Sequence, residues 1–137
     1  MIYANHRNTQ ISENQQKAFT SDFTSINQIS DFLNNIKQEN INRTISLGIV
    51  SPESKNCYID NVVSDLKERK KNGEITTIFL PSNYTQQDVE NFKKNLNIDF
   101  QVKTMNEEVS KSWLEVFDKK NIGGIEVLMK NDEIRIK

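Results

Sequence analysis

From Ser25 onward the apolar residues fall into two alternating rhythms. Ile26, Ile29, Leu33 and Ile36 recur at helical spacing with Phe32 beside them, and Ser25 stands where an N-cap belongs. Thr44 to Val50 is a short apolar run suited to a buried strand, and it breaks at Ser51-Pro52. Tyr58, Ile59, Val62, Val63 and Leu66 form the apolar stripe of a second helix, which closes on a charged run from Lys67 to Lys71 and stops at Asn72-Gly73. The charged run reads as a solvated face. Ile75 to Leu80 is β-branched and apolar, hence a strand, closed by Pro81. Thr85 and Asp88 fit a capping box, with Val89, Phe92 and Leu96 facing inward behind it. Ile98 to Val102 alternates apolar and polar as a half-buried strand does. A fourth helix is predicted from about Asn106, burying Val109, Trp113, Val116 and Phe117. Ile125 to Met129, a turn over Lys130 to Glu133, and Ile134 to Ile136 then make a closing hairpin.

The order is αβαβαβαββ. Strands separated by helices pair in parallel through crossovers, and a hairpin adds antiparallel strands. The expectation is an α/β fold with a mixed central sheet flanked by helices. The first 24 residues read differently. Residues 1–21 are rich in Asn, Gln, Ser and Thr with few apolar side chains, so residues 1–24 are expected to form a polar arm or tether and residues 25–137 a single domain.

Charge and composition narrow the function classes. The net charge of -1 gives no global field toward nucleic acid or an anionic membrane. The 35% hydrophobic content and mean hydropathy of -0.68 belong to a globular chain, and no apolar run approaches the roughly 18–20 residues of a membrane span. One cysteine, Cys57, cannot form an internal disulfide, and with His6 it is too little for a zinc site. Neither a metal nor an organic cofactor is expected. The polar start lacks the apolar core of a signal peptide, which leaves two readings of location: cytoplasmic, or a mature exported domain without its leader.

The segment Ser51-Pro52-Glu53-Ser54-Lys55-Asn56-Cys57 gives a strand, a short polar turn and a cysteine opening a helix. That arrangement resembles the active-site segment of thioredoxin-like proteins, which carry Cys-x-x-Cys there. The strand, helix and strand from Ile75 to Val102 look like the extra unit of the peroxiredoxin and TlpA-like branch, and Val89-Glu90-Asn91-Phe92-Lys93-Lys94-Asn95-Leu96-Asn97-Ile98-Asp99-Phe100-Gln101-Val102 is similar to that branch's helix. The likeness covers about Ile45 to Ile136 and is greatest to the degenerate TlpA-like domains of Bacteroides-type envelope proteins. It implies a thioredoxin-like three-layer fold and a location at the bacterial cell envelope or periplasm. Two departures stand out. Aligning Cys57 with the family's second cysteine puts Ser54 at the first, the nucleophile. Gly123-Gly124 occupies the region of the family's cis-proline, which shapes the groove beside the sulfurs. The C-terminal helix that often follows the hairpin is replaced by the end of this sequence, and the helix from Ile26 to Ile36 is available to cover sheet surface.

Candidate chemistry centres on Cys57. A thiolate at a helix N-terminus is stabilised by unpaired N–H groups, and Lys55 would add positive charge; otherwise Cys57 packs as a small apolar residue. Ser54 as a nucleophile would need a base, and His6, the sole histidine, lies in the polar arm, so Ser54 reads first as the N-cap of the second helix. Glu53 and Asp60 flank the motif and Glu107-Glu108 open the fourth helix, as surface carboxylates favoured by helix dipoles. The sequence therefore predicts a non-catalytic thioredoxin-like domain acting as a binding or accessory module for a protein partner. The alternative is a monothiol thiol-disulfide redox protein that uses Cys57 with a small thiol or a second protein.

Overall fold

The computed structural model describes residues 2–137, with side chains from Glu13 onward. Among these, five helices and five strands follow in the order α1 (Ile2–Thr24), α2 (Asn27–Glu39), β1 (Ile45–Val50), α3 (Ile59–Lys71), β2 (Ile75–Leu80), α4 (Gln86–Asn95), β3 (Gln101–Thr104), α5 (Glu107–Lys120), β4 (Gly124–Lys130) and β5 (Glu133–Ile136). The strands form one mixed sheet in the order β3-β2-β1-β4-β5. β1 and β2 pair in parallel from Ile45 opposite Ile75 to Ile49 opposite Phe79, and β2 pairs in parallel with β3. β4 runs antiparallel to β1, from Ile45 opposite Met129 to Val50 opposite Gly124, and β5 completes the hairpin.

The sheet separates two cores. Ile45, Leu47, Ile49, Phe79, Ile125, Val127 and Met129 face one side, under α1, α2 and α5, where Phe23, Leu33, Trp113 and Phe117 meet them. On the other side Val50, Ile78, Leu80 and Val102 lie under Val62, Val63 and Leu66 of α3 and Val89 of α4. All six residues of β1 are buried. Its Gly48 lets α3 dock: a Cβ there would stand 2.9 Å from Val62 and 3.0 Å from Leu66. Each fully buried Leu or Ile in these layers contributes about 1.5–3 kcal/mol.

Element ends show which local signals held. Thr85 and Asp88 form the predicted capping box, and Asn106 caps α5 by accepting from the Val109 N–H at 2.9 Å. Ser25 does not cap α2, because Ile26 takes that position and makes no side-chain cap. Tyr58, placed by its spacing in the apolar stripe of α3, is instead its N-cap and 71% exposed. The strand predicted over Ile98 to Val102 starts only at Gln101. Asn97 at φ 56° ends α4 in a left-handed turn, and the Ile98 N–H bonds back to Lys93 O, so Ile98 and Phe100 are buried ahead of the strand.

The polar N-terminal stretch, expected as an arm, is helical from Ile2 and its last turns carry apolar weight. Phe23 is fully buried, with its ring centroid 5.3 Å from that of Trp113 and 6.2 Å from that of Phe117. The Ile136 N–H donates to Thr20 Oγ1 at 3.0 Å, and the Gln16 amide donates to Ile136 O, so α1 covers the edge of β5. Two phenylalanines four residues apart, Phe19 and Phe23, stack edge to face and anchor the last turns of α1. Phe23→Ala is therefore expected to cost about 3–5 kcal/mol, as for other large aromatic truncations in cores. Urea unfolding of the full chain measures it, and a loss below about 1 kcal/mol would mean that α1 is peripheral.

Candidate functional site

Cys57 lies where β1 ends and α3 has not yet begun. Pro52 to Asn56 forms tight turns: the Ser54 N–H donates to Ser51 O at 3.0 Å and the Cys57 N–H donates to Ser54 O at 3.2 Å. The Ser54 hydroxyl accepts from the Asn56 N–H at 3.2 Å. Ser54 is thus a turn residue and not the cap of α3, which begins at Ile59. This removes the helix-terminus argument for Cys57 as well, since the thiol precedes the N-cap Tyr58 and sits outside the first turn.

The start of β4 closes over this loop. The Ser51 N–H donates to Gly123 O at 2.8 Å, and Asn56 Nδ2 donates to Asn121 Oδ1 at 2.9 Å. Asn121 ends α5 in the left-handed region at φ 56°, turning the chain toward the glycine pair. The backbone approach is closest at Gly123, where a Cβ would fall 2.7 Å from the Cys57 nitrogen and 2.7 Å from both Cβ and Oγ of Ser54. A Cβ on Gly124 would make ordinary contact with Cys57 Sγ at 3.7 Å. The glycine pair and the Ser54–Cys57 loop are therefore brought together by the fold. Among the described residues no peptide bond is cis.

Burial governs the thiol. Cys57 is partly buried against the α3–α4 side of the sheet, and this desolvation pushes its pKa up, against a backbone hydrogen bond at Ser51 that pulls it down. Lys55 is exposed. Tyr84 is likewise pushed up, first by burial and then by the charges of Glu53, Asp88 and Cys57. A thiol and a phenol that both keep their protons do not make a nucleophile and base. His6, the remaining candidate base, lies outside the described side chains.

Beside the loop, at the carboxyl ends of β1 and β2, a crevice of about 500 Å³ runs along α5. Ser51, Glu53, Pro81, Tyr84, Glu107 and Leu114 line it, with Glu115 and Asp118 against a single Lys111. Its charge disfavours phosphates and other anions. Glu53, Asp60, Glu107 and Glu108, read from sequence as surface carboxylates, are all exposed; Glu53 and Glu107 line this crevice and Asp60 and Glu108 do not. That Glu53 and Glu107 share one crevice had no local signal, because it depends on where β1, β2 and α5 end in space. Among the described residues no group of three or more His, Cys, Asp or Glu could hold a metal ion, and no helix is long and apolar enough to cross a membrane.

No family profile, curated protein or solved structure matches the chain.

The close approach at Gly123 can be tested alone. Gly123→Ala must displace the 54–57 backbone and is expected to lower stability by about 1–3 kcal/mol, the usual range for overpacking. The same variant should react faster than the parent with a thiol alkylating agent. An unchanged urea midpoint and alkylation rate would show that the loop yields freely.

Proposed function

We propose that the chain is a thioredoxin-like domain that has left thiol chemistry and serves as a binding or accessory module. Support for the fold comes from the central position of β1, its parallel partner β2, the antiparallel β4–β5 hairpin beside it, and the Ser54-x-x-Cys57 loop at the end of that central strand. A sheet of wholly parallel strands without the hairpin would have spoken against it. Placement at the bacterial cell envelope rests on the resemblance to TlpA-like envelope domains.

The observation that carries the functional reading is the state of Cys57. The residue that a monothiol enzyme would need as an exposed thiolate is partly buried, precedes the helix end that would stabilise it, and has its pKa raised. With Ser54 engaged in a turn, this leaves the loop shaped by packing against Gly123 and not by access to a substrate disulfide. The role then falls to the surface of the domain.

Alkylation of Cys57 in the native protein, followed across pH, tests the proposal. Iodoacetamide should react slowly, with an inflection above the free-thiol value of about 8.5, and the rate should rise sharply in denaturant. A fast native reaction with an inflection well below that value would overturn the reading. It would instead install Cys57 as a monothiol that forms mixed disulfides with glutathione or a protein thiol.

A further inference from the structure

Away from the Cys57 loop, one carboxyl group is enclosed without a cation of its own. Glu126 lies midway along β4, opposite Gly48 of β1 and thus on the face that α3 covers. Its main chain closes the sheet edge with Lys137, the Glu126 N–H donating to Lys137 O at 2.8 Å and the Lys137 N–H returning to Glu126 O at 2.9 Å. Its Oε1 is shut off from solvent with no hydrogen-bond partner.

The charged groups facing Glu126 are Asp65 and Arg69 from α3 and Lys137 after β5, while β1 presents only Gly48. Arg69 is already committed. Its Nε donates to Asp65 Oδ2 at 3.1 Å, and its Nη1 reaches both oxygens of Glu74 at 3.4 Å. Glu74 in turn accepts from the Ser46 hydroxyl. Among the described residues no cation comes within ion-pair distance of Glu126. Asp65, with its own bond to Arg69, is the carboxyl of the two that keeps a negative charge. A second charge beside it, half-removed from water, is strongly disfavoured. A proton kept on Glu126 would resolve the conflict, with Asp65 as the neighbouring acceptor.

We propose that Glu126 is a neutral acid in the folded protein, and that the proton it shares with Asp65 pins α3 to β4 until alkaline pH removes it. The titration directions agree. Glu126 is pushed up to about 8, first by burial and then by Asp65. Asp65 is held below the usual carboxylate range, first by the hydrogen bond from Glu126, with Arg69 adding to it against burial. Because the two are coupled, the midpoints belong to the pair.

The linkage has a definite sign. Glu126 binds its proton more tightly in the folded than in the unfolded chain. Its stabilisation is full below the ordinary glutamate pKa of about 4.3, is lost as pH rises, and is gone above about 8. Asp65 acts in the opposite sense: its stabilisation is present above its ordinary pKa and is lost as acid reaches its lowered folded value.

Glu126→Gln keeps the shape and the donor but cannot titrate. From pH 5 to 7 the unfolding equilibrium constant of the parent, divided by that of E126Q, should rise by close to tenfold per pH unit, the limit for one linked proton, and the rise should flatten as pH passes about 8. In parallel, the side-chain carboxyl carbon of Glu126, followed by NMR in the unmodified protein, should titrate near 8. Asp65→Asn removes the charge that the proton answers, so the Glu126 midpoint should fall. A flat ratio, or a Glu126 carboxyl that titrates in the ordinary range of about 4–5, overturns the proposal. A midpoint unmoved in D65N overturns the shared proton, because burial alone would then hold it.

Discussion

Strand β1 is buried on both faces and paired on both edges, and every other element is arranged by that enclosure. An interior strand has no solvent face, so its two sets of side chains must each find an apolar layer. Ile45, Leu47 and Ile49 meet the aromatic group around Trp113, while Val50 and the open space above Gly48 receive α3. Gly48 has the smallest side chain in the strand, yet it sets how closely α3 lies. A helix held a few tenths of an ångström farther away would lose contact along Val62 and Leu66 together.

The same enclosure explains the state of the Cys57 loop. A chain leaving an interior strand must pass beneath its neighbours before it reaches the surface, and here it passes beneath the start of β4. The two glycines permit that passage: one accepts the Ser51 N–H while its missing side chain leaves room for the backbone of Cys57. Tight backbone packing of this kind removes water from the sulfur, and desolvation then works against the thiolate. Cys57 also stands ahead of the N-cap Tyr58, outside the turn whose free N–H groups would favour a thiolate.

Polar groups on the α3 side obey the complementary rule. Between α3 and the sheet, Ser46, Glu74, Arg69, Asp65 and Glu126 form one group, with the Arg69 guanidinium bonded to both Asp65 and Glu74. One cation cannot neutralise three carboxyls, and burial of any unpaired charge is costly. Retention of a proton is the least demanding solution, and it ties the charge state of the sheet face to the contact between α3 and β4.

By itself the sequence determined the rhythm of the elements from Asn27 to Ile136, because side-chain periodicity is a local property of helix and strand. The capping box at Thr85 and Asp88 and the stop at Asn72-Gly73 were legible for the same reason: each is satisfied within a few residues. The helix over the polar N-terminal stretch was not, since two phenylalanines in a run of Asn, Gln and Ser give weak periodicity and acquire meaning only against Trp113, Phe117 and the edge of β5. Ser54 and Cys57 were found as candidates, but the packing of their loop against Gly123, some seventy residues away along the chain, was not visible in either. Glu126 gave no signal, because one polar residue in an alternating strand reads as solvent-facing. What lies across a sheet face, and whether a charge there finds a partner, is settled by elements distant in sequence, so burial and protonation were decided by the tertiary structure alone.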